Sequence, residues 1–198
     1  MSEEAREPAR QRDVRVGSST DALAPLLVAE RPLGAGVVQW LGLAAVGLAA
    51  VAADQLTKRI VTGQLGLGDS LHVVGPFSIR HVQNSGIAFG LFASATALVI
   101  LLTAFAVAWM LVFFARSGAR HPVLPVSLGL VIGGSLSNLL DRVRLGYVTD
   151  FLDLRYWPSF NLADSFIVIG VCVLLTALVA AEREPRRTRP VRDAAARP

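Results

Sequence analysis

Residues 89–115 read FGLFASATALVILLTAFAVAWMLVFFA, an unbroken run without a charged side chain. At about 1.5 Å per residue a helix of this length extends roughly 40 Å, more than the hydrocarbon core of a bilayer at about 30 Å. Three other apolar stretches, Leu33 to Ala53, Val123 to Leu140 and Asn161 to Ala181, are long enough to cross with modest tilt or thinning. The chain has 198 residues, 53% of them hydrophobic and 17% charged, which is more apolar than an ordinary soluble domain. The expected fold is an all-α polytopic membrane protein: four transmembrane helices with a small extracytoplasmic β element between spans 1 and 2. That element is expected from the β-favouring runs Leu71 to Val74 and Phe77 to Val82, split by Gly75-Pro76.

Charge sets the orientation. Of the 19 Lys and Arg residues, 13 fall in the N-terminal tail, the turn between spans 2 and 3, and the C-terminal tail. The other six, Lys58, Arg59, Arg80, Arg142, Arg144 and Arg155, lie on the opposite side. The positive-inside rule then places both termini in the cytoplasm and the polar segments Asp54 to Gly90 and Asp141 to Phe160 outside. The net charge of +4 does not point to nucleic acid, because the arginines are tail residues without interleaved aromatics or a binding motif. Residues 1–32 and 182–198 read as disordered cytoplasmic tails flanking a membrane domain at 33–181. Tyr147, Phe151, Tyr156, Trp157 and Phe160 suit the headgroup region. Cys172 is alone, which excludes an intrachain disulfide and suggests a packed thiol.

Polar residues cluster at the outer ends of the spans. Asp54 and Lys58 are four apart at the end of span 1, spaced either for a surface ion pair or for positioning a headgroup, with Lys58 available to phosphate. Asn84-Ser85-Gly86 reads as a turn or helix entry before span 2. In Gly133-Gly134-Ser135-Leu136-Ser137-Asn138-Leu139-Leu140-Asp141-Arg142 the small residues favour close helix approach, and Asn138, Asp141 and Arg142 share one helical face. Arg142 is expected to pair with a carboxylate and order the outer loop, and Asp141 to be a structural partner. Asp150 and Asp164 stand fourteen residues apart, a connection short enough in space to fold the two carboxyls together. Taken singly, Asp150 is a loop acid and Asp164 a charge that stabilises a helix N-terminus. Taken together, two adjacent carboxyls sharing one proton supply a general base and a general acid.

Other chemistries fit less well. Gly66-Leu67-Gly68-Asp69 spells a Gly-x-Gly-Asp protease motif, but in a polar loop rather than a membrane helix, and reads as a turn. His72, His81 and His121 lack metal-ligand spacing, so no metal or other cofactor is expected. A proton-coupled transporter using the same acids would carry charge in the middle of its spans, which these spans lack.

Five motifs in order resemble the bacterial lipoprotein signal peptidase family, also called signal peptidase II. They are Asp54-Gln55-x-Thr57-Lys58, Asn84-x-Gly86-x-Ala88-Phe89, Gly133-Gly134-x-x-x-Asn138-x-x-Asp141-Arg142, Val148-x-Asp150-Phe151 and Phe160-Asn161-x-Ala163-Asp164. The resemblance covers about residues 37–181. It implies a catalytic dyad of Asp150 and Asp164 in an aspartic endopeptidase of the bacterial cytoplasmic membrane. It also implies that Asp54, Lys58, Asn84, Gly86, Asn138, Asp141, Arg142, Asn161 and Ala163 line or brace the site. The implied partners are diacylglyceryl-modified prolipoproteins, cut N-terminal to the lipidated cysteine, and membrane phospholipids, with the enzyme a monomer. One position departs from the family's pattern: Ser137 stands where Gly is usual, still small but with less backbone freedom.

Overall fold

The computed structural model describes residues 34–86, 96–117 and 121–183. Four helices dominate: α1 Val37–Gln64, α2 Thr96–Ser117, α3 Leu124–Leu145 and α4 Leu162–Arg183. All four are long and apolar enough to cross a membrane. Most of the two expected tails, and the entry to span 2 including Ala88 and Phe89, lie outside the described residues.

α3 is the central helix. In its apolar window 67% of residues are buried, against 11–17% in the other three. Its lower hydropathy follows from that position, since a helix surrounded by protein needs no lipid-facing surface and tolerates Gly, Ser and Asn. Its adjacent glycines serve different neighbours. A Cβ on Gly133 would lie 2.6 Å from the Gly47 carbonyl of α1, and one on Gly134 would strike the Ala163 carbonyl of α4. α2 packs more loosely, through a core of Leu43, Val107, Phe114, Leu124, Leu128 and Ile132 and an edge-to-face contact of Trp40 with Phe114 at 5.0 Å. Outward faces carry exposed apolar side chains such as Leu101, Phe105 and Trp109, as lipid-facing surfaces require. Cys172 is on such a face of α4, exposed rather than packed as its sequence context suggested.

Two helix ends differ from expectation. α1 does not stop near Ala53 but continues to Gln64, because Asp54, Lys58 and Val61 recur on one buried face and no Gly or Pro intervenes before Gly63. α3 likewise runs past Leu140 to Leu145, with Asp141 and Arg142 helical as the face they share with Asn138 implied, and it ends on Gly146 at φ 83°.

The β element is larger than the sequence suggested. Strands β1 Ser70–Val74, β2 Phe77–Asn84, β3 Val148–Leu154 and β4 Trp157–Phe160 form one antiparallel sheet in the order β1-β2-β3-β4. The second polar segment, read as loop with aromatic anchors, supplies half of it. Its signal was hidden because Val148 to Phe151 are all buried, so the strand lacks polar and apolar alternation. Pairing of β2 with β3 sets Val82 opposite Asp150 and Asn84 opposite Val148, which makes Asn84 a diagonal neighbour of Asp150. Gly66 to Asp69 is the expected turn: the Asp69 carboxylate accepts the Gly66 N–H at 3.0 Å and Gly68 has φ 87°.

Gly134→Ala is expected to destabilise the protein by about 1–3 kcal/mol, because its new methyl meets backbone that cannot yield. Gly63→Ala, which meets nothing within 4 Å on α1, is expected to be neutral or stabilising. Unfolding in mixed micelles compares the two; equal losses would show that the α3–α4 approach is not tight.

Candidate active site

At the end of the bundle that carries the sheet, a buried carboxylate joins three helices. Asp54, fully buried at 0% exposure, accepts the Ala163 N–H on Oδ1 at 2.8 Å and the Ser137 hydroxyl on Oδ2 at 2.7 Å. The same Oδ2 pairs with Lys58 Nζ at 2.6 Å, one helical turn further along α1. Lys58, 4% exposed, also pairs with Asp141 at 2.7 Å and donates to Asn138 Oδ1 at 3.0 Å. Gln55 donates to Asp141 Oδ1 at 2.7 Å and to Ser137 Oγ at 3.0 Å. The Asp54–Lys58 pair is therefore no surface ion pair. It is a buried cluster whose single ammonium serves two carboxylates, with neutral donors satisfying their remaining lone pairs. With its ammonium so committed, Lys58 is not the free phosphate ligand that its sequence position allowed.

This cluster sets the start of α4. Asn161 caps the helix: its Oδ1 accepts the Asp164 N–H at 2.9 Å, while Asp164 Oδ2 accepts the Asn161 N–H at 3.1 Å. The reciprocal pair is a capping box built from Asn and Asp. Asp54 takes the intervening Ala163 N–H, so a carboxylate from α1 closes a further open donor of α4. Asp164 is thus both a helix-end charge, as its position suggested, and a site residue.

Asn161 also bridges the two candidate carboxylates. Its Nδ2 donates to Asp150 Oδ1 at 2.8 Å and to Asn138 Oδ1 at 3.1 Å, and Asn138 Nδ2 donates to Asp164 Oδ1 at 2.8 Å. Asn84 completes the set, donating to Asp150 Oδ2 at 2.9 Å while its own Oδ1 accepts the Gly86 N–H at 3.0 Å. Asn84 thus shapes the turn, as its sequence suggested, and also contacts the candidate carboxylate Asp150. Arg142 differs from expectation: its Nη2 donates to the Gly86 carbonyl at 2.7 Å, and it forms no ion pair among the described residues. It orders the Asn84–Gly86 turn by binding backbone, with the carboxylates acting on it only at longer range. All eleven residues singled out in the sequence meet here. Gln55 and the hydroxyl of Ser137 were not foreseen as site groups, although Gln55 stood inside the Asp54–Lys58 motif.

Asp150 and Asp164 both line one cavity of about 1100 Å³, with Asn84, Asn138 and Arg142 at the same polar end. The rest of the wall is mainly apolar, from Val99 of α2, Ile167 and Val168 of α4, and Trp157 and Phe160 of the sheet. Asp150 is 2% exposed, and burial pushes its carboxyl up to about 6. The bonds from Asn84 and Asn161 and the charge of Lys58 oppose that rise, whereas the neighbouring charge of Asp164 adds to it.

The fold and site define a polytopic membrane protein whose paired carboxylates face an apolar cavity. The profile of signal peptidase (SPase) II matches residues 46–180. Lipoprotein signal peptidase of Moorella thermoacetica is 41% identical over 143 residues, covering 72% of this chain and 95% of the relative. That of Halothermothrix orenii is 38% identical over 139 residues, 70% of this chain and 95% of the relative. A bacterial membrane enzyme solved by the in meso method at 2.3 Å has TM-score 0.70 and 26% identity, covering 81% of this chain and 99% of that one. A second, solved at 1.9 Å, has TM-score 0.64 and 28% identity over 76% of this chain and 98% of that one. The chain belongs to the signal peptidase II family and is a multi-pass membrane protease.

Three outcomes follow from the buried charges. Lys58→Met leaves Asp54 and Asp141 without a counter-charge, and a stability loss of about 3–5 kcal/mol is expected in detergent unfolding; a loss under about 1 kcal/mol would mean that the cluster is hydrated. For Asp150 the folded value, about 6, exceeds the usual unfolded carboxyl value of about 3.9. Its contribution to folding is then full below about pH 4 and lost as pH rises through about 6. Asp164→Asn removes the neighbouring charge and is expected to move the Asp150 titration downward, read by carboxyl infrared or carbon NMR; an unmoved midpoint would show that the two acids are uncoupled.

Proposed function

We propose that this chain is an aspartic endopeptidase that removes signal peptides from diacylglyceryl-modified prolipoproteins, with Asp150 and Asp164 as the dyad. The observation that carries this reading is the bridge through Asn161 and Asn138, which holds both carboxyls at the polar end of one cavity. In the reaction one ionised carboxylate takes a proton from water as the water attacks the scissile carbonyl. The protonated partner donates a hydrogen bond to that carbonyl and then a proton to the leaving amine. Each carboxylate accepts two N–H donors, so the hydrogen-bond pattern favours neither as owner of the shared proton, and the pair titrates as a unit. Water activation by such a pair needs no metal.

The cavity suits this substrate class. Its volume exceeds the roughly 300–1,000 Å³ of an ordinary small-molecule pocket, and its apolar walls match a signal helix and acyl chains. In this reading both termini are cytoplasmic and the dyad lies at the extracytoplasmic face of the bacterial cytoplasmic membrane, an orientation that the distribution of Lys and Arg supports. There the substrate's own helix and lipid deliver the scissile bond in two dimensions. The chain acts as a monomer with surrounding phospholipid as its solvent.

Purified protein in EDTA is expected to cleave a diacylglyceryl-modified prolipoprotein on the N-terminal side of the lipidated cysteine. Asp150→Asn and Asp164→Asn are each expected to lower kcat by at least about 10³-fold. Cleavage by either variant near the wild-type rate would refute the dyad. Mass spectrometry of the released peptide locates the cut bond.

A further inference from the structure

A second hollow, of about 170 Å³, lies between α1 and α3 and shares no lining residue with the carboxylate cavity. The division follows from alternation along β3: Val148 and Asp150 line the first cavity, and Thr149 between them lines the second. Its walls include Lys58, Arg59 and Thr62 from α1 and Asp141 and Arg144 from α3.

The charges there are unequally committed. Lys58 and Asp141 are buried and paired with each other, and Asp141 is the only acid in the wall. Arg59 and Arg144 are exposed, and neither guanidinium has an ion pair or hydrogen bond among the described residues. Two unpaired guanidiniums from neighbouring helices thus converge on one small hollow. Their planar forks match the oxygens of a phosphate better than a single rounded ammonium would. Leu145 lines the hollow, and Leu56, Ile60 and Val143 on the same two helices are also exposed, offering apolar surface to acyl chains. Both arginines stand in the last two turns of helices long enough to cross a bilayer, the part of such a helix that meets lipid headgroups.

We propose that Arg59 and Arg144 bind the phosphate of a phospholipid headgroup in the hollow between α1 and α3, behind the carboxylate pair. A bound phosphate neutralises two like charges beside Lys58 and ties α1 to α3 at the level of the buried cluster. Retention of lipid is read without any cleavage, so this proposal stands or falls apart from the peptidase reading.

The test is native mass spectrometry of the full chain in detergent, titrated with phosphatidylglycerol, with diacylglycerol as the phosphate-free control. One saturable phosphatidylglycerol is expected to be retained, and diacylglycerol not. Arg59→Gln/Arg144→Gln is expected to weaken retention at least 10-fold, with an unchanged thermal melt in lipid-free detergent; single Arg144→Gln gives an intermediate loss. Arg80→Gln/Arg155→Gln, on the sheet, is expected to leave retention as in the wild type. Displacement of the lipid by millimolar inorganic phosphate would assign recognition to the phosphate alone, and failure to displace it would assign recognition to the whole lipid. Wild-type retention in the double variant, or an equal loss in the sheet variant, would overturn the proposal.

Discussion

The bond from the Ala163 N–H to the Asp54 carboxylate is the contact on which the rest of the site depends. It joins the body of α1 to the first turn of α4, where an open backbone donor needs an acceptor and water is excluded. A buried carboxylate in turn needs a cation, supplied by Lys58 four residues on, and that ammonium draws in Asp141 from the central helix. Three helices are fixed by one network in which every charge has a partner. The capping box of Asn161 and Asp164 is held against this network, so the same residues that begin α4 position one of the two acids.

Asn161 and Asn138 carry that order to Asp150 and Asp164. An amide side chain presents a donor and an acceptor at fixed separation, which suits it to bridging carboxyls without adding charge. Asp150 receives Asn161 on one oxygen and Asn84 on the other, and Asn84 is held by the turn that Arg142 secures through the Gly86 carbonyl. The result is a pair of acids with restricted rotamers lining the polar end of one cavity, where burial raises the Asp150 carboxyl. Ser137 adds a strut of its own: its hydroxyl donates to Asp54 and accepts from Gln55.

Where sequence reasoning fell short, the cause was burial rather than composition. Lys58 and Asp54 have the spacing of any exposed helical ion pair, and only the approach of α3 makes them a desolvated cluster. Val148 to Phe151 concealed a strand because both of its faces are covered. Arg142 looked like a carboxylate partner because charge is visible in a sequence and a backbone carbonyl brought close by folding is not. The end of α1 was misplaced because polarity at Asp54 resembles a membrane boundary, although the helix continues with its buried face intact to Val61.

Local chemistry alone indicated the four spans, the turn at Gly66 to Asp69 and the small-residue faces of α3, because hydropathy and short-range spacing are properties of the chain itself, whereas the candidate site residues were named as a set by resemblance to the signal peptidase II family. Tertiary structure decided how those residues act. It joined strands from two distant segments into one sheet, divided Gly133 and Gly134 between two helices, committed Lys58 to two carboxylates, and left Arg59 and Arg144 beside it without an ion pair among the described residues. Those outcomes depend on which groups lose water and which partners meet across the bundle, and desolvation is a property of the packed molecule.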